Sequence, residues 1–60
     1  MNKLPEDPMM LASSINMLLR DGQYEDLDDL CAAFDVERSD IDAKLAAIGM
    51  AYDPTQNKVR

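Results

Sequence analysis

The chain has no histidine and one cysteine among its 60 residues. The first absence removes the commonest neutral-pH proton shuttle and metal ligand. The lone Cys31 excludes an internal disulfide framework and any cysteine-rich zinc site. There is no Gly-rich phosphate loop and no nucleophile–base pair. A chain this short buries only about 60% of the surface its unfolded form exposes, which leaves little room for a pocket that excludes water. The expectation is therefore a protein that is not an enzyme and takes no cofactor and no metal. Long apolar runs are missing too. The longest strongly apolar stretch, Met9 to Ala12, is far below the roughly 20 residues of a membrane span. The opening from Met1 to Pro8 sets two prolines and two acids ahead of any apolar run, unlike a secretory signal. Both features lead us to expect no membrane and a reducing cytoplasmic setting. In that setting Cys31 reads as a small buried core residue whose acidic neighbours raise its pKa.

Positive charge is also scarce. Six bases face twelve acids, for a net charge of −6. The acids crowd the middle: between Asp21 and Asp42 there are nine of them and one base, Arg38, a local net of −8. Asp26-x-Asp28-Asp29 offers some of the oxygen atoms a hard cation needs, but the central Gly and closing Glu of an EF-hand are absent. A helix N-terminus attracts negative charge, and that accounts for Glu25, Asp26, Asp28 and Asp29 as a solvated face.

What the chain does have is helical periodicity. Apolar residues make up 47% and charged residues 30%, a globular composition, and no linker or repeat divides residues 1–60, so we expect a single domain. Asp7 is a good N-cap, and Pro8 suits the first helical position. Leu11, Ile15, Leu18 and Leu19 then form one stripe, which Met10 and Met17 widen. Asp21-Gly22 ends this first helix, predicted over residues 8–20. Asp26 caps a second, short helix with Leu27, Leu30, Cys31 and Phe34 on one face, and Asp29 completes a capping box with a shorter carboxylate than usual. After a turn from Asp35 to Arg38, with Val36 pointing inward, a third helix starts near Arg38 or Ser39. Ser39 and Asp42 are read as its capping box. Ile41, Leu45 and Ile48 continue the stripe, and Gly49 stops it. Met50-Ala51-Tyr52 and Lys58-Val59-Arg60, around a cluster of turn formers, predict a small hairpin with Tyr52 and Val59 on one face.

The spacing Leu30-Cys31-x-x-Phe34-Asp35-Val36, followed by Ile41 and Leu45, fits a helix-turn-helix. It combines a small residue where two helices cross, an inward aliphatic after the turn, and Asp35 where a left-handed backbone is needed. The fold class expected is mainly α: three short helices containing a helix-turn-helix, with a small C-terminal β-hairpin, resembling a miniature winged helix. Such a shape does not confer DNA binding. Duplex affinity comes largely from bases facing phosphates, whereas the third helix would present Glu37, Arg38, Ser39, Asp42 and Ala43. Nucleic-acid binding, as a dimer through Arg38, Lys44, Lys58 and Arg60, is kept as the alternative.

A family resemblance adds to this. Leu4-Pro5-x-Asp7-Pro8-x-Met10-Leu11, Ser13, Asn16, Leu19-Arg20-Asp21, Leu27-x-x-Leu30-Cys31, Leu45, Ile48-Gly49, Tyr52 and Asn57 resemble a family of very small bacterial proteins, domain of unknown function 4250. Asp26 and Met50 depart from its pattern, where Ser and Tyr are expected. The resemblance implies a stand-alone bacterial protein of this length and carries no activity over to it.

Two features remain. Asn16 sits mid-helix, where its propensity is poor. It is read either as exposed, with Arg20 pairing with an acid or capping helix carbonyls, or as part of a partner-recognition surface with Arg20 and Asp21. Five methionines are many for so small a core, and Met9, Met10, Met17 and Met50 cannot all be covered. Adaptable methionine surface suits partner binding. The function expected is thus a non-enzymatic protein-interaction module, with Met9, Met10 and Met17 of the first helix contacting a homodimer mate or another protein.

Overall fold

The computed structural model describes residues 3–60. Asp7, in an extended backbone conformation, accepts a hydrogen bond on Oδ2 from the Met10 N–H at 3.0 Å and so opens helix α1, Pro8–Arg20. Leu11, Ala12, Ile15 and Leu19 are its buried face. Met10 and Met17 do not widen that face as the sequence suggested: both are exposed, and Ala12 takes a place in the core. At about 100° per residue, positions 10 and 17 fall on the far side of the helix from Ile15. Gly22, at φ 77°, turns the chain out of the helix.

Asp26 caps α2, Leu27–Phe34, by accepting from the Asp29 N–H at 2.9 Å. The Asp29 carboxylate reaches back to the Glu25 N–H at 3.1 Å, one residue before the cap itself. Half of the expected box therefore forms, the Asp26 cap, while the Asp29 carboxylate serves the N–H before the cap rather than that of the cap. The helix closes as a Schellman motif around Asp35, whose φ of 56° and ψ of 47° are left-handed. The Asp35 N–H donates to the Ala32 carbonyl and the Val36 N–H to the Cys31 carbonyl, at 3.2 and 3.0 Å. Those bonds draw Val36 inward and bring the chain into α3, Arg38–Ala46, directly after Glu37. Glu37 makes no side-chain cap, and Ser39 lies inside the first turn, so the expected Ser39 capping box does not form. Asp40 supplies first-turn negative charge instead. A second Schellman pair, Gly49 N–H to Ala46 and Met50 N–H to Leu45, ends the segment at Gly49.

Strands β1, Tyr52–Asp53, and β2, Lys58–Val59, pair antiparallel with Tyr52 opposite Val59. Ala51 and Arg60 exchange both backbone hydrogen bonds, at 3.0 and 2.9 Å. In an antiparallel ladder the neighbouring residue then directs its N–H and C=O away from the partner strand. For Val59 that direction is toward α1, where the Asn16 amide takes both. Its Oδ1 accepts from the Val59 N–H at 2.6 Å, and its Nδ2 donates to the Val59 carbonyl at 3.0 Å. The reading of Asn16 as exposed does not hold: it is half-buried and hydrogen-bonded to the hairpin. Tyr52 donates to Asn57 Oδ1, and Asn57 Nδ2 donates to the Glu25 carbonyl at 3.1 Å, a second tie from hairpin to helical layer. The core gathers Leu11, Ala12, Ile15 and Leu19 with Leu27, Leu30, Cys31, Ile41, Leu45 and Val59.

Replacing Asn16 by Ala removes two hydrogen bonds and leaves two part-buried backbone groups of Val59 unpaired, a loss of about 2 kcal/mol. Urea unfolding of N16A measures it, and an unchanged midpoint would contradict this role. Asp35 carries negative charge at a helix C-terminus, where the dipole disfavours it. Asp35→Asn keeps the tolerance for a left-handed backbone and is expected to add a few tenths to about 1 kcal/mol, read from the same titration.

Candidate functional site

Ten core residues absorb most of the aliphatic side chains, so the remaining apolar surface can be located. Among the described residues the large hydrophobics left exposed are Met9, Met10 and Met17, at 63%, 61% and 54%. All three lie on α1. Met10, Ser13, Met17 and Arg20, spaced i, i+3, i+7 and i+10, line the helix side turned away from Leu11, Ile15 and Leu19, and all four are exposed. Met50, the fourth methionine singled out in the sequence, packs against the core instead.

This face continues into a groove of about 570 Å³ between α1 and the hairpin, lined by Ser13, Asn16, Met17, Arg20, Gln56 and Lys58 among others. Asn16 positions both walls, because it holds β2 on α1. No carboxylate lines the groove. The amides of Asn16 and Asn57 are spent on internal hydrogen bonds, which leaves Ser13, Gln56, Arg20 and Lys58 as its outward polar groups.

The four bases named for nucleic-acid contact are not brought together. Arg38 is bound between Asp28 and Asp42, at 2.6 and 3.1 Å, and its guanidinium lies 5.1 Å from the centroid of the Tyr52 ring. Burial opposes the Arg38 charge, but hydrogen bonds to Asp42 and Asp28 outweigh that and hold the group above its ordinary pKa. Arg60 pairs with Asp53 at 3.3 Å. Lys44 is half-buried at the edge of a hollow with Leu4, Phe34 and Ile41. Only Lys58 faces the groove, and the sequence reading did not join it to Arg20. The signal available was Asn16: an amide with poor helix propensity in an apolar register asks for a partner, though the sequence does not name Val59.

Cys31 is free and 3% exposed. Burial pushes its thiol above the ordinary value of 9.0; Arg38 pulls it down, while Asp28 and Asp42 push it up. The direction is the one expected from the sequence, but burial is the first cause and the acids are secondary. Among the described residues no three metal-ligating side chains converge, and no helix is long and apolar enough to cross a membrane.

Over residues 5–59 the chain matches the family described as Domain of unknown function (DUF4250). It belongs to that family. No curated protein and no solved structure matches it. The DUF4250 match spans both walls of the groove and the whole of α1.

Because the folded pKa of Cys31 is raised, its contribution to stability is fully present below the unfolded value of 9.0 and is lost as pH rises through the folded one. The stability difference between wild type and Cys31→Ala is therefore expected to stay level below that pH and to shrink above it. A flat difference up to alkaline pH, from denaturant midpoints, would refute the assignment.

Proposed function

We propose that this chain is a non-enzymatic protein-interaction module working through the outer face of α1. One observation carries the reading: among the described residues, the large apolar side chains left exposed are three methionines on that single helix. Fully burying a side chain of this kind is worth about 1.5–3 kcal/mol, so the fold forgoes stability that a docked protein would recover. Methionine is unbranched and polarisable, and it adapts to the shape presented to it. In so thin a core, burial against another protein also adds stability that the domain lacks alone. The free, buried Cys31 is consistent with a reducing cytoplasmic setting.

The winged-helix-like alternative, DNA contact by a dimer, has less support. Arg38 and Arg60, two of its four bases, already pair with acids, and duplex affinity depends on bases available to phosphates.

A photo-crosslinking amino acid at position 10 or 17 is expected, in cells, to give a discrete protein adduct. The same group at exposed position 47 is expected to give none. An adduct at twice the chain mass identifies a second copy; any other mass identifies a different protein. Met10→Ser with Met17→Ser abolishes binding yet shifts folding stability by no more than about 0.5 kcal/mol, since both side chains are exposed. No adduct from position 10 or 17, or the same adducts from position 47, would overturn the proposal.

A further inference from the structure

The geometry points to the chemistry of the partner: an acidic segment of another protein, which sets an apolar side chain against Met17 and carboxylates on Arg20 and Lys58. This rests on the reading of α1 as a docking face and extends it.

The groove between α1 and β2 departs from the acidic character of the chain and holds two bases, where another acid-free hollow, beside Leu4 and Phe34, holds one. The chain carries twelve acids and a net charge of −6, yet no acid lines this groove, and two of the six bases do. Both are exposed, and among the described residues neither makes an ion pair, whereas Arg38 and Arg60 do. Approach of an anionic chain is disfavoured over most of the surface by like charge and is favoured at this groove, so charge decides where the partner docks as well as whether it binds. The two cations stand on separate elements that Asn16 holds together through Val59. Their spacing is set before binding, which lowers the ordering cost. Met17 lines the same groove, between the methionine face and the cations.

Other occupants fit less well. A second copy brings a further charge of −6, and its acid-rich α2 edge is occupied: Asp26 and Asp29 serve as caps and Asp28 holds Arg38. Nucleic acid asks for many bases in register with phosphates, and this groove offers two beside an apolar methionine. A small anion asks for an enclosed site, whereas the groove-lining Ser13, Met17, Arg20, Gln56 and Lys58 are all exposed.

The test is fluorescence anisotropy with three labelled probes: an amphipathic peptide of leucine and glutamate, its leucine–lysine counterpart, and a short DNA duplex. The glutamate peptide is expected to bind, and to bind about tenfold more weakly when salt rises from about 50 to about 500 mM. Arg20→Gln with Lys58→Gln is expected to cost at least tenfold as well, with helical circular dichroism unchanged; Lys58→Glu alone, at an exposed position of β2, repeats the test should the double variant unfold. The lysine peptide and the duplex are expected not to bind. Equal affinity of the variants, tighter binding of the lysine peptide, or binding of the duplex would each overturn the proposal. The in-cell adduct from position 17 separates the two levels. If it persists in the charge-neutralised variant, the docking face stands and the acidic partner is wrong. If it is lost there, both stand. If it never forms, the docking face itself fails.

Discussion

The fold turns on one side-chain amide. A hairpin with two residues in each strand does not persist alone in water, and its second strand ends with Val59, whose backbone N–H and C=O point away from the first. Asn16 presents to them a donor and an acceptor in the spacing of a peptide group, so the side chain acts as a one-residue third strand projecting from α1. The poor helix propensity of Asn is outweighed by two hydrogen bonds in a part-buried site. From this contact follow the burial of Val59 in the core, the placing of Lys58 on the same groove as Arg20, and the groove itself.

Charge is distributed by a comparable logic. Five of the twelve acids that give the chain its net charge stand at helix starts: Asp7 and Asp26 as caps, Asp28, Asp29 and Asp40 in first turns. There the unpaired N–H groups and the helix dipole favour them, and they need no ligand to explain them. Two bases are drawn into this acidic framework, Arg38 between Asp28 and Asp42 and Arg60 onto Asp53. Ion pairs this exposed contribute little stability. Their larger consequence is that the guanidinium of Arg38, on α3, is already engaged by two carboxylates; in a DNA reader that helix would carry the contacts. The four bases named for nucleic-acid contact therefore do not collect around α3, and two exposed bases, Arg20 and Lys58, share the α1–β2 groove instead.

The helices were legible residue by residue because their signals are local. Asp7-Pro8, Asp26 and Gly49 act within one turn of where they stand, and the spacing of Leu11, Ile15 and Leu19 marks a buried face without knowledge of what covers it. The left-handed Asp35 was likewise readable, since few residues tolerate that backbone. Errors arose where two local signals competed. Ser39 and Asp42 form a good capping pattern in isolation, but the Schellman bonds on Val36 bring the chain into α3 earlier and leave Ser39 inside it. Met10 and Met17 are apolar and were read as widening the stripe, yet they face away from it, exposed as the number of methionines in so small a core requires of some of them.

Short-range chemistry thus sufficed for the bounds of the first two helices, for the left-handed turn, and for the family, since caps, periodicity and motif spacing are properties of neighbouring residues. Contact between residues 16 and 59, the pairing of Arg38 across a ten-residue gap, and the placing of Arg20 and Lys58 along one groove came from folding. Each joins groups whose separation along the chain says nothing of their separation in space, and each depends on how three helix faces close around one small core.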